Sequence, residues 1–136
     1  MKRKLLLLSV TLLVIMMFGV SSFAAFTDIE PNDDYSQANE ITLPAYISGS
    51  LSMYDKYDYY KVVLSSSATL TANLSSSSSA DLDLYLFDAN KTLIASSRKT
   101  GSSSESISKT VSAGTYYVRA VFFTGSPASY TLNVTK

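Results

Sequence analysis

The residues of this 136-residue sequence that are best suited to chemistry are carboxylates crowded near its start. The segment Asp28-Ile29-Glu30-Pro31-Asn32-Asp33-Asp34 holds four carboxylates and a side-chain amide, and a second acidic pair, Asp55 and Asp58, precedes Tyr59-Tyr60. Carboxylates this close together repel one another unless a cation lies among them. Oxygen ligands suit calcium, which takes six to eight of them in irregular geometry. The segment therefore indicates either a calcium site or a solvated acidic stretch, and composition alone favours the second.

The composition excludes most catalytic chemistry, because the chain contains no Cys and no His. No Ser–His or Cys–His pair can form, and neither imidazole nor thiolate is available for zinc. A carboxylate-pair hydrolase remains, with Asp81 and Asp83 as the best candidates. Both lie on one face of a predicted strand, in the expected solvent layer, where nothing would raise either pKa. We therefore predict that the protein is not an enzyme.

The first residues have the layout of a secretory signal peptide. Lys2, Arg3 and Lys4 precede an apolar run from residue 5 to residue 20, and small residues follow. Ser22 and Ala24 satisfy the demand of signal peptidase for small side chains, so we predict a signal peptide over 1–24 with cleavage after Ala24. The alternative is an uncleaved membrane anchor, for which the apolar run is slightly short. The protein is expected to be secreted.

The chain after the predicted cut forms a single domain in this interpretation, with an acidic segment at 25–44 and a β-sandwich at 45–136. The signal peptide contains three of the eleven basic residues and none of the eleven acidic ones, so the remaining chain is mildly acidic. This balance argues against nucleic acid and against an anionic membrane surface as partners. We expect a monomer that has no membrane association after cleavage.

Alternation of apolar and polar residues recurs from Ala45 onward, and no stretch shows a sustained helical period. Because each strand has one apolar face, two sheets must pack those faces together. We predict an all-β, jelly-roll-like β-sandwich of about eight antiparallel strands; a closed barrel is the weaker option. The predicted strands are Ala45–Leu51, Asp58–Leu64, Ala68–Leu74, Asp81–Phe87, Thr92–Ser97, Glu105–Val111, Thr115–Phe123 and Ser129–Thr135.

An ordered set of short motifs resembles the bacterial pre-peptidase C-terminal domain family. The set comprises Glu30-Pro31-Asn32-Asp33, Asp55, Asp58-Tyr59-Tyr60, Asp81-Leu82-Asp83-Leu84-Tyr85-Leu86, Ala113-Gly114-Thr115-Tyr116-Tyr117-Val118-Arg119 and Tyr130-Thr131-Leu132. The resemblance covers nearly all of the chain after the predicted cut. It implies a jelly-roll β-sandwich that is usually appended to secreted peptidases.

The resemblance also implies a calcium site. Members of this family in clostridial collagenases bind calcium and insoluble collagen, and others are thought to engage polysaccharides or to assist secretion. Carried over to this sequence, the calcium ligands are Asp28, Glu30, Asn32, Asp33, Asp55 and Asp58. With the resemblance added, calcium binding becomes the preferred interpretation of the acidic segment.

We also expect the protein to have a surface that binds an extracellular polymer. The family pattern puts Tyr116, Val118 and Ala120 inward, which leaves Tyr117, Arg119 and Phe123 outward, with Tyr85 on the neighbouring predicted strand. Exposed aromatic rings with an arginine suit stacking on sugar rings or packing along an extended polypeptide. The alternative is that these side chains pack against loops or simply cover a sheet. Two functions stay open: a module that binds matrix protein or polysaccharide, and a helper for a separate secreted peptidase.

Overall fold

The computed structural model describes residues 22–136, so the predicted signal peptide lies almost entirely outside the described residues. Within this range the chain forms ten strands and no helix. They are β1 (Ala24–Thr27), β2 (Asn39–Glu40), β3 (Ala45–Leu51), β4 (Tyr57–Leu64), β5 (Ala68–Ser76), β6 (Asp81–Asp88), β7 (Leu93–Ser97), β8 (Glu105–Val111), β9 (Gly114–Thr124) and β10 (Ala128–Thr135). Between residues 22 and 136 no helix is long and apolar enough to cross a membrane.

The strands form two five-stranded sheets. One sheet has the order β1-β3-β10-β5-β8, and the other has the order β2-β4-β9-β6-β7. Most neighbours are antiparallel, whereas β1 pairs with β3 and β2 pairs with β4 in parallel. The predicted all-β sandwich is confirmed, with parallel pairing limited to the two N-terminal strands.

The core lies between the two sheets, as the alternation of apolar residues requires. Each main strand sends every second side chain inward, and the buried set includes Ile47, Leu70, Leu84, Val118 and Leu132. The chain contains no cysteine, so no disulfide adds to this core. Burial of apolar side chains is the main stabilising term that the fold has available.

All eight strands expected from alternation are present, and their ends agree with the structure to within two residues. β3 and β8 have the predicted bounds. The two additional strands were not expected: β1 begins at Ala24, the last residue of the predicted signal peptide, and β2 lies in the acidic segment at 25–44. Their short lengths carry no alternation signal, and they exist because β3 and β4 offer edges for pairing.

The prediction that Asp81 and Asp83 lie in a solvent layer is wrong. Both side chains are on the outward face of β6, but they are only 5% and 7% exposed. The chain at 98–101 folds over them, and the backbone N–H of Gly101 donates to Oδ2 of Asp81 at 3.0 Å. The phenol of Tyr85 donates to Oδ2 of Asp83 at 3.2 Å, and burial raises the pKa of Asp83. The two carboxylates therefore take part in internal contacts.

Candidate functional site

The acidic segment is held against the sandwich by a small number of hydrogen bonds. The side-chain amide of Asn39 accepts from the backbone N–H of Ile29 and donates to its carbonyl, both at 2.9 Å. The backbone N–H of Tyr59 on β4 donates to the carbonyl of Asn32 at 3.0 Å. The segment therefore forms a loop between β1 and β2, and its polar side chains face the start of β4.

Asp34 is used for a turn. Its Oδ1 accepts from the backbone N–H of Ser36 at 2.7 Å, from the Ser36 hydroxyl at 2.6 Å and from the backbone N–H of Gln37 at 3.2 Å. These hydrogen bonds lower the pKa of Asp34. Asp34 is outside the predicted ligand set, and the structure uses its carboxylate for this local turn.

Asp28, Glu30 and Asp58 form the centre of the acidic cluster. One carboxylate oxygen from each lies within 4.8 Å of the others. Calcium binds oxygen at 2.3–2.6 Å, so two oxygens that share one ion are separated by at most about 5 Å. The three carboxylates therefore have a spacing that a single calcium ion could bridge.

Two buried oxygens in the cluster lack a hydrogen-bond partner within the described chain. Asn32 is fully buried; its Nδ2 donates to Oδ1 of Asp28 at 2.7 Å, and its Oδ1 has no donor. Asp58 is also fully buried, and its Oδ1 has no donor. Buried polar atoms are nearly always paired, and leaving one unpaired costs about 1–3 kcal/mol. These two oxygens lie beside the carboxylates of Asp28 and Glu30, which is the arrangement expected of a cation site.

Two buried tyrosines, which were not among the predicted site residues, orient the carboxylates. The phenol of Tyr60 donates to Oδ1 of Asp28 at 2.7 Å. The phenol of Tyr130 donates to Oδ2 of Asp58 at 2.5 Å and is also in contact with the phenol of Tyr60. Burial raises the pKa of both tyrosines, so they remain protonated donors. The available sequence signal was that a buried tyrosine hydroxyl needs a partner.

The electrostatics of the cluster are unfavourable without a counter-charge. Burial, followed by the negative charges of Asp28, Asp55 and Glu30, raises the pKa of Asp58 to about 9, although the Tyr130 hydrogen bond acts in the opposite direction. Desolvation, together with the carboxyl of Asp28 and the charge of Asp55, raises the pKa of Glu30 to about 7. The cluster therefore takes up protons in the absence of a cation.

Asp33 and Asp55 lie at the edge of the cluster. Burial and then the charges of Asp33 and Asp28 raise the pKa of Asp55. Asp55 is fixed by a tight turn, in which Ser52 and Asp55 exchange backbone hydrogen bonds at 2.8 Å and 3.2 Å. The structure thus places all six predicted ligand residues in one neighbourhood, three of them in the closest group.

The donor set fits calcium by its chemistry, since it consists of carboxylate and amide oxygens with no nitrogen or sulfur ligand. The residues that would hold the ion are Asp28, Glu30, Asn32, Asp33, Asp55 and Asp58.

The predicted polymer-binding residues lie on the outer face of the β2-β4-β9-β6-β7 sheet, around Arg119. Its guanidinium lies over the rings of Tyr57, Tyr59, Tyr85 and Phe87 at 4.5–5.6 Å from their centroids, and Nη1 donates to the Tyr59 hydroxyl at 2.9 Å. Such cation–π contacts favour a flat packing of the arginine on the rings. Arg119 and Tyr85 are therefore half-buried within an aromatic layer.

Tyr35 from the acidic segment covers part of this layer. Its ring lies 4.7 Å from that of Tyr59, 5.0 Å from that of Tyr117 and 5.7 Å from that of Phe87. Tyr117 is accordingly half-buried, whereas Phe123 is 68% exposed. Of the four predicted surface residues, Phe123 is the one that is openly presented to solvent.

The described chain is thus a β-sandwich module with an acidic, oxygen-rich cluster at one end. Residues 56–121 match the family model of the bacterial pre-peptidase C-terminal domain. The solved pre-peptidase C-terminal domain of a collagenase from Bacillus anthracis has the same fold, with a TM-score of 0.65 and 21% identity over 72% of this chain and 94% of that one. Residues 56–121 of this chain thus resemble the pre-peptidase C-terminal domain family in sequence, and the described residues share its fold. Domains of that family are known as non-catalytic accessory modules of secreted peptidases.

Two further solved structures are more distant. A periplasmic inhibitor of g-type lysozyme from Aeromonas hydrophila has a TM-score of 0.46 and 13% identity, over 82% of this chain and 100% of that one. A β-glucosidase from Paenibacillus barengoltzii has a TM-score of 0.35 and 12% identity, over 85% of this chain and 13% of that one. No curated protein matches the chain.

Proposed function

We propose that this protein is a secreted, non-catalytic accessory module that is stabilised by calcium and binds an extracellular polymer. The observation that carries the calcium assignment is the pair of buried, unpartnered oxygens, Asn32 Oδ1 and Asp58 Oδ1, beside the carboxylates of Asp28 and Glu30. A bound cation would satisfy both oxygens and offset the repulsion among the carboxylates.

Calcium would join two parts of the chain that are far apart in sequence. Asp28, Glu30, Asn32 and Asp33 belong to the loop before β2, whereas Asp55 and Asp58 belong to the turn before β4 and to β4 itself. A ligand that binds only the folded state stabilises it by about 2.7 kcal/mol at a hundred times its dissociation constant. The ion would therefore stabilise a domain that has no disulfide.

The direct test of calcium binding is isothermal titration calorimetry of protein stripped with a chelator. We expect saturable binding of calcium, and weaker binding of magnesium, which prefers octahedral geometry with several retained waters. Asp58→Asn should weaken calcium binding, because it removes a charge and keeps the shape. An absence of calcium binding to the stripped protein would overturn the assignment.

The polymer would bind at the aromatic layer around Arg119. Phe123 and Tyr57 are exposed at 68% and 41%, and the half-buried Tyr85 and Tyr117 extend the same face. Aromatic rings with a guanidinium suit either a polypeptide or a polysaccharide. Sedimentation with insoluble matrix protein and with insoluble polysaccharides distinguishes the two, and retention of the protein in every supernatant would contradict polymer binding.

A helper role for a separate secreted peptidase is the second candidate. It is favoured by the match of residues 56–121 to a family whose domains accompany secreted peptidases. The test is secretion of a peptidase from the same genome in the presence and absence of this protein. Unchanged peptidase activity in the medium would exclude the helper role.

A further inference from the structure

The outer face of the β1-β3-β10-β5-β8 sheet carries short, neutral, polar side chains. One row crosses four strands in register and consists of Thr27, Ser48, Thr131 and Ser75. A second row contains Ser50 opposite Ser129, with Ser77 next to them, whose hydroxyl donates to the Ser129 carbonyl at 2.9 Å. The two rows are about 7 Å apart, and strands are about 4.8 Å apart, so the hydroxyls form a regular array.

A groove of about 550 Å³ lies over these two rows. Its lining includes Ser48, Ser50, Ser75, Ser129 and Thr131, together with Asp28, Glu30 and Tyr130. A volume of this size is within the range of small-molecule and cofactor sites. The groove is on the sheet opposite to the aromatic layer around Arg119.

The hydroxyl array suits a partner that is itself rich in hydroxyls. A serine or threonine hydroxyl both donates and accepts and can rotate to match either role, as a sugar hydroxyl can. The side chains are short, so ordering them on binding costs little rotamer entropy compared with lysine or arginine. Ser48, Ser50, Ser75 and Ser129 are exposed, so they are accessible to a ligand.

The charge of the groove narrows the class of ligand. None of its lining side chains is basic, so a polyanion, such as nucleic acid or an acidic polysaccharide, would find no cationic side chain to pair with in the groove. An apolar peptide would leave the serine hydroxyls without partners, which costs binding energy. The chemistry that remains complementary is an uncharged glycan.

We propose that this groove is a binding site for a segment of neutral polysaccharide, held by the hydroxyl rows. The inference goes beyond the proposed function, because it assigns a second site on the other sheet and does not rest on the aromatic layer. The groove shares Asp28 and Glu30 with the acidic cluster, so the test is made in calcium. Thr131 and Ser129 lie at the centre of the two rows and make the main hydrogen bonds to the glycan.

The test is affinity electrophoresis of the full-length secreted protein, in calcium, through gels that contain a soluble neutral glucan, a neutral galactomannan or heparin. The variants are Thr131→Val, which is nearly isosteric, and Ser129→Ala. The matched control is Thr69→Val, because Thr69 lies on the same face, contacts Thr110 at 2.9 Å and is outside the groove lining. We expect retardation by at least one neutral polysaccharide, with an affinity about fivefold lower in each groove variant and unchanged in Thr69→Val.

Three outcomes would overturn the proposal: no retardation by either neutral polysaccharide, retardation by heparin alone, or equal losses in Thr131→Val and Thr69→Val. Phe123→Ala separates this site from the aromatic layer, since it should leave neutral-glycan binding at the groove unchanged. Loss of that binding in Phe123→Ala, with Thr131→Val unaffected, would also contradict the proposal. Melting temperatures of all variants report whether each one is folded.

Discussion

Tyr130 on β10 donates a hydrogen bond to the fully buried carboxyl of Asp58 on β4 at 2.5 Å, and so joins the two sheets through the interior of the sandwich. Gly49 on β3 lies opposite Tyr130, and a Cβ at that position would collide with the tyrosine ring. The absence of a side chain at residue 49 therefore leaves room for the ring to reach Asp58. The acidic cluster thus depends on residues from three strands of the core.

Replacement of Tyr130 by Phe should destabilise the protein by about 1–3 kcal/mol, because the buried Asp58 carboxyl loses its donor. Urea unfolding measures the change. Tyr116→Phe is the matched control: its buried phenol donates to the carbonyl of the exposed Ser112 at 2.8 Å, where water can replace it. We expect a smaller loss in the control and an unaltered response to calcium. Equal losses and equal calcium responses in both variants would argue against a special role for Tyr130.

Gly49→Ala should displace the Tyr130 ring and weaken calcium binding together with stability. The new methyl group meets the ring itself, which is held between the sheets and cannot move aside cheaply. Ser50→Ala, at the next residue of β3, is the control and should have little effect. Calorimetric titration with calcium and urea unfolding test both variants; wild-type calcium affinity in a folded Gly49→Ala protein would disprove the coupling.

The sequence predicted much of the fold, since alternation located β3 to β10, and the family pattern correctly put Tyr116, Val118 and Ala120 on the inward face of β9. It did not indicate β1 or β2, because a four-residue and a two-residue strand form only by pairing with β3 and β4. Alternation also placed Asp81 and Asp83 on the correct face of β6. Their burial depends on the chain at 98–101, a contact that local pattern cannot reveal.

The candidate site was predicted in part. The crowding of carboxylates pointed to the acidic segment and to the pair Asp55 and Asp58, and the family resemblance selected the six residues that the structure brings into one neighbourhood. The roles of Tyr60 and Tyr130 were not foreseen, because their hydroxyls contact carboxylates that are far from them in sequence and come near only when the strands pack. Tyr35 was also missed, since its contact with Tyr117 joins the acidic segment to a strand more than eighty residues later.

Stability in the absence of calcium should fall as pH rises. The pKa of Asp58 is raised to about 9 and that of Glu30 to about 7 in the folded chain, whereas both are about 4 when unfolded. The folded state therefore holds protons that the unfolded state has released, and the free energy of unfolding declines between about pH 4 and 9. The decline should be steeper below pH 7, where both groups contribute.

Urea unfolding in chelator at pH 5, 6, 7 and 8 measures this slope. Because calcium binds the ionised carboxylates, its stabilising effect should grow over the same range. A free energy of unfolding that increases with pH in chelator would show that Asp58 and Glu30 are not the dominant titrating groups.

Phe123→Ala should reduce sedimentation with the insoluble polymer and leave the free energy of unfolding within about 0.5 kcal/mol, because the ring is 68% exposed. Tyr117→Ala should reduce sedimentation and also lower the free energy of unfolding by about 1–2 kcal/mol, since it removes the edge-on contact with Tyr35. Comparison of sedimentation with unfolding free energy in the two variants separates loss of polymer contact from loss of internal packing. Wild-type sedimentation of Phe123→Ala would show that the polymer does not contact the aromatic layer at this point.

The melting temperature in saturating calcium and in chelator tests the central claim most directly. We expect calcium to raise it by about 5 to 15 °C. Asp58→Asn should abolish most of the rise, whereas Asp34→Asn, which removes the same charge from a residue used only for a turn, should retain it. Superimposable melting curves of the wild-type protein in calcium and in chelator would contradict the account and show that calcium does not stabilise the fold through this cluster.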